Sequence, residues 1–168
     1  LEQAGVDVAV FDQVKPDPLC ETVESGVEAF EAHKADSIIA IGGGSSMDVA
    51  RGINIVRVNG GSIIEYTDPA KPIAPCNGMI AVPTTAGTGS EVDQWGVVSN
   101  TEAREKIGFG GYDSLFPVLS IVDPELMATV PPDYTAYQGF DALFHSVEVY
   151  ISRFANPFSD MVALTAVE

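Results

Sequence analysis

A chain of 168 residues is long enough for one domain with a sizeable core, and 46% hydrophobic against 19% charged content places it among globular proteins. Its 24 acidic and 8 basic residues give a net charge of −16. That argues against nucleic acid or an anionic membrane as partner, since both need clustered Lys and Arg, and the longest apolar runs (Ile38–Ile41, Met79–Val82) are too short to span a bilayer.

Leu1-Glu2-Gln3-Ala4-Gly5 reads as a helix end, and Glu168 falls inside an apolar-periodic segment, so the chain reads as a fragment. Val6 to Phe11 reads as a strand, ended by Asp12 and the Pro16/Pro18 pair. Leu19 to Lys34 carries Val23, Val27 and Phe30 at helical spacing. Ser37 to Ile41 is a short strand terminated by Gly42-Gly43-Gly44, and Ser45 starts a helix running to about Val58. Met79 to Val82 is a strand stopped by Pro83. Gln94 to Val98 and Lys106 to Phe109 read as two strands of a hairpin, and Val118 to Val122 as a further strand. From Pro131 the pattern turns helical, with one helix over Asp133 to Phe154 and another opened by Asn156-Pro157. The alternation predicts an α/β fold. An open parallel-sheet domain over 1–130, N-terminally incomplete, leads into the start of an all-helical domain over 131–168, C-terminally incomplete.

Cys20 and Cys76 lack metal-ligand spacing and read as reduced thiols, which points to the cytoplasm. Three segments carry chemistry. In Ile38-Ile39-Ala40-Ile41-Gly42-Gly43-Gly44-Ser45-Ser46-Met47-Asp48, a strand runs through three glycines into a helix start. Backbone without Cβ atoms can approach a bulky anion, and the free N–H groups of a first helical turn suit a pyrophosphate. The plainer reading is a tight turn with Ser45 as N-cap. One glycine would serve that, so three favour binding.

Val82-Pro83-Thr84-Thr85-Ala86-Gly87-Thr88-Gly89-Ser90-Glu91 repeats the theme, with four hydroxyls and two glycines after a strand. In open α/β sheets ligands bind beyond the carboxyl ends of strands, so the two loops can grip one extended ligand. In Asp141-Ala142-Leu143-Phe144-His145 the carboxylate and imidazole stand four residues apart on one helix face, within reach of one metal ion. Taken alone, the plainer readings prevail: an Asp/His surface pair, or a core histidine satisfied by Asp141. His33, the other histidine, falls on the polar side of an early helix.

GGGSSMDVAR, VPTTAGTGSEV, SIVDPELM and QGFDALFHSVEVYIS followed by ANPFSD, in this order, resemble the iron-containing (group III) alcohol dehydrogenases of the dehydroquinate-synthase-like superfamily. The resemblance implies an enzyme performing metal-dependent hydride transfer between a primary or secondary alcohol, or its aldehyde or ketone, and NAD or NADP. Its pyrophosphate loop matches Gly42, Gly43, Gly44 and Ser45 with Asp48 beside it, and its second cofactor loop matches Thr84, Thr85 and Thr88. Lys106 matches a lysine near the nicotinamide and its ribose, while Asp141 and His145 match the first two ligands of a divalent metal, Fe²⁺ or else Zn²⁺. The implied catalytic set is Lys106, Asp141 and His145. The implied partners are a small-molecule alcohol or aldehyde and, in a full-length parent, a second copy in a homodimer. Arg51 stands where the family usually has Lys, and Gly110-Gly111-Tyr112 carries one residue more than its pattern. Two further metal histidines and the first nucleotide-binding strand fall outside this chain. The alternatives are a maleylacetate-reductase-like or glycerol-dehydrogenase-like member of the superfamily, or a catalytically inactive nucleotide-binding fragment. Maleylacetate reductases replace the metal-binding residues, whereas Asp141 and His145 are both present here.

Overall fold

In the computed structural model, residues 1–168 are described apart from Pro69, Asn77 and Glu168. Helix α1 (Cys20–His33) turns Val23 inward and closes on Lys34 in the left-handed conformation, φ 57°. Strand β1 (Ile38–Gly42) then feeds helix α2 (Gly44–Asn59). Strand β2 (Met79–Pro83) lies parallel to β1 with Ile38 opposite Met79 and Gly42 opposite Pro83, so the two strands end level. Strands β3 (Trp95–Asn100) and β4 (Glu105–Gly110) form the expected antiparallel hairpin, a two-stranded sheet of its own. Strand β5 (Leu119–Ser120) completes a parallel sheet of order β1-β2-β5. Helices α3 (Pro132–Ile151) and α4 (Pro157–Val167) follow and pack on each other. Asn156 caps α4 by accepting from the N–H groups of Phe158 and Ser159.

The core is built around α2, which is buried from Val49 to Val56. One side of it, Met47 and Ala50, packs on Ala40, Met79 and Ala81 of the parallel sheet. The rest packs with Val23 of α1, Ile63, Val98, Ile107 and Phe109 into a single cluster. Gly52 lets the two helices close up, since a Cβ there would lie 2.8 Å from Val23 Cγ2.

Two strand expectations are corrected. Val6–Phe11 forms no strand: it joins neither sheet, and Phe11 and Val14 pack against the α1–α2 cluster. The strand expected over Val118–Val122 narrows to two residues, although Val118 and Ile121 also donate to β2 carbonyls. No helix among the described residues is long and apolar enough to cross a membrane.

Candidate functional site

Because β1 and β2 end level, their two loops leave side by side. The Thr84 N–H donates to the Gly42 carbonyl at 2.9 Å, tying the glycine loop to the hydroxyl-rich loop at their roots. Gly42 has φ 145°, and a Cβ on it would collide with the Ser46 side chain. Gly43, not Ser45, is the extended N-cap, so Ser45 sits one residue inside the helix. Ser46 and Met47 both donate back to the Gly43 carbonyl, which leaves the Gly44 and Ser45 N–H groups ahead of the helical ladder and facing out.

The glycine count has a second explanation. A Cβ on Gly43 would lie 3.2 Å from Thr85 Cγ2, and one on Gly44 3.1 Å from Thr88 Cγ2. All three glycines therefore have a packing reason, and their number alone does not argue for a ligand. The free N–H groups and the open space before them do.

That space is a cleft of about 840 Å³, ample for a dinucleotide-sized ligand. One wall is Gly43, Gly44, Ser45, Ser46, Thr85 and Thr88; the facing wall is the α3 stripe Tyr134, Tyr137, Gln138, Asp141 and His145. Asp48, Asp93 and Trp95 line it as well. Gln138 holds α3 against the loop, its Oε1 accepting from the Ala86 N–H at 2.7 Å. Burial pushes the Asp48 carboxyl up to about 7, against the opposing pull of a Val97 backbone hydrogen bond and Arg51. Asp93 is raised for the same reason.

Eight of the residues singled out from the sequence meet in this cleft: Gly43, Gly44, Ser45, Asp48, Thr85, Thr88, Asp141 and His145. Gly42 and Thr84 lie behind it at the strand ends. Lys106 does not line it; its Nζ rests on the Asp17 carboxylate at 2.5 Å, both side chains mostly exposed. His33 lies at the end of α1, 3.8 Å from Asp7. Tyr134, Tyr137 and Gln138 were missed, although they share the helical face of Asp141 at spacings of seven, four and three residues.

Asp141 Oδ1 and His145 Nε2 are 3.5 Å apart and both side chains are about half exposed to the cleft. A carboxylate oxygen and an imidazole nitrogen at this separation suit one divalent transition metal. No group of three or more His, Cys, Asp or Glu side chains that could hold a metal occurs among the described residues, so these two donors are a partial set.

A level pair of parallel strands with both loops in one cleft, faced by a helix, defines an open parallel-sheet α/β protein whose ligand site lies at its strand ends. The chain belongs to the iron-containing alcohol dehydrogenase family, whose profile matches residues 1–124. It is 41% identical over 174 residues to the choline dehydrogenase of Bacillus subtilis (strain 168), across all of this chain and 42% of that protein. The NAD-dependent methanol dehydrogenase of Bacillus methanolicus is 38% identical over 171 residues, across 100% of this chain and 44% of its own length. Among solved structures, sulfoacetaldehyde reductase from Bifidobacterium kashiwanohense in complex with NAD+ superposes with a TM-score of 0.89 at 35% identity, covering 95% of this chain and 43% of that one. The chain thus spans less than half the length of these relatives.

Proposed function

We propose that this chain supplies the dinucleotide cradle and the first two metal ligands of an alcohol dehydrogenase that moves hydride between an alcohol and NAD(P). The observation that carries the reading is the single cleft in which the N–H groups at the start of α2 face the Asp141–His145 pair of α3. A bound metal would supply Lewis acidity at the substrate oxygen and a bound nicotinamide the hydride acceptor.

The chain's own groups do the holding. The Gly44 and Ser45 N–H groups and the Thr88 hydroxyl would bind the pyrophosphate, which needs no basic side chain at a helix start. Asp141 and His145 would hold Fe²⁺ or Zn²⁺ from consecutive turns of α3. Tyr134, Tyr137 and Trp95 would limit water around the reacting end, since all three line the cleft. Gln138 would keep the ligand-bearing helix in register with the second loop. Two donors bind a metal weakly by themselves, so turnover would need further ligands besides this pair. The boundary we propose near Pro131 agrees with the main core cluster, whose buried members run from Cys20 to Leu115. Two free cysteines agree with a cytoplasmic setting.

Titrating the intact protein with NADH, followed by its fluorescence, tests the cradle. Gly44→Val must displace Thr88, already 3.1 Å from where its Cβ would sit, and should weaken NADH by roughly tenfold or more while metal content stays unchanged. Unaltered affinity in a natively melting Gly44→Val protein refutes the assignment.

A further inference from the structure

Arg51 is the only arginine or lysine buried outright among the described residues, with no exposed surface. It sits on α2 two turns beyond Gly44, behind the cleft rather than on its lining. Its Nη2 donates to the Ser90 carbonyl and, at 2.8 Å, to the Asp93 carbonyl. The same nitrogen is 3.3 Å from the Asp93 carboxylate, and Nη1 is 3.8 Å from that of Asp48. Nε and Nη1 have no hydrogen-bond partner among the described residues.

A guanidinium with some donors unsatisfied is a costly way to fill a core. Well-packed apolar side chains commonly do as well or better for stability. What an apolar side chain cannot do is grip main-chain carbonyls of a loop that has no ladder of its own. The gripped segment leads straight to the cradle: the Ser90 N–H donates to Thr88 Oγ1 at 3.3 Å, and Thr88 Cγ2 and Ser90 Oγ stand 3.1 and 3.3 Å from where a Gly44 Cβ would be. Arg51 is therefore two links from the backbone that faces the cleft.

We propose that Arg51 is the positioning residue of the cradle: by holding the Ser90 and Asp93 carbonyls it sets how closely the hydroxyl-rich loop lies on the start of α2, and so sets dinucleotide affinity. The inference rests on the cofactor reading above and deepens it. Both carbonyl bonds and the nearer carboxylate fall to the one nitrogen Nη2, which the long side chain carries from α2 to the loop. An ammonium brought to the same point keeps the charge and, with three donors, can keep those bonds.

The test is made on the intact protein with NADH as probe, alongside metal analysis and amide hydrogen exchange. Arg51→Gln should raise the NADH dissociation constant about tenfold, roughly one lost charge-assisted bond, with metal content unchanged. Exchange should quicken over residues 84–93 while β1 and β2 amides keep their protection. Arg51→Lys should restore affinity to within about threefold of wild type. Equal NADH affinity in Arg51→Gln and wild type overturns the proposal, and so does uniformly faster exchange across the sheet, which marks general destabilisation. If Arg51→Gln does not fold, exchange in the ligand-free wild type decides. Protected Ser90 and Val92 amides support the grip; amides as labile as those of the Thr101–Arg104 turn refute it. Wild type that binds no NADH overturns the cofactor reading, and this inference with it.

Discussion

Replacing Asp48 by Asn should flatten the pH dependence of stability. Asp48 lines the cleft from α2, with 17% of its side chain exposed. Burial is the largest influence on its carboxyl, which rises from the ordinary 3.8 to about 7. In the unfolded chain the proton leaves near 4; in the folded chain it stays until about 7. Below the lower value both states are protonated and nothing is lost. Between the two, the folded state holds a proton that the unfolded chain has released, so stability falls as pH rises. Above the upper value the full cost is present. About three pKa units at ~1.4 kcal/mol each give a loss of up to ~4 kcal/mol across that window. Asn resembles the protonated carboxyl and does not titrate. Urea denaturation at intervals from about pH 4.5 to about pH 8 should show wild type losing stability and Asp48→Asn losing much less, with the variant the more stable at the alkaline end. Parallel slopes for the two proteins would refute the reasoning, because the missing stability would then belong to other groups, Asp93 first among them since burial raises it too.

Lys106→Met should change NADH affinity by less than about threefold, because the lysine's partner is an exposed carboxylate on the surface, where such pairs contribute little. A loss of tenfold or more in the same fluorescence titration would return Lys106 to the cofactor's contacts. Helices α3 and α4 and the connection between them expose Phe140, Phe144, Phe154 and Phe158. A patch of this kind should drive concentration-dependent association of the 168-residue chain, which sedimentation velocity measures; a monomer at every concentration would refute it.

What could be read from the residues is what local physical chemistry controls. Apolar spacing at Val23, Val27 and Phe30 placed α1 to within a residue, because helix faces repeat with the backbone's own period. The three glycines announced the turn after β1, since Gly42 adopts a φ that side chains avoid. The i,i+4 spacing put Asp141 and His145 on one face whatever α3 packs against.

Tertiary structure decided the rest, because contacts between distant residues have no local signature. Extended residues become a strand only where another strand pairs with them, and Val6–Phe11 joins neither sheet while Phe11 packs into the helical cluster. Whether a lysine enters a cleft depends on what else lies within reach, and Lys106 found Asp17, 89 positions away. Arg51 reads as one more charge on a helix until the fold buries it against carbonyls 39 and 42 residues further along. The cleft itself exists because β1 and β2 end level and Gln138 draws α3 across their loops, bringing residues from Gly43 to His145 within reach of one ligand.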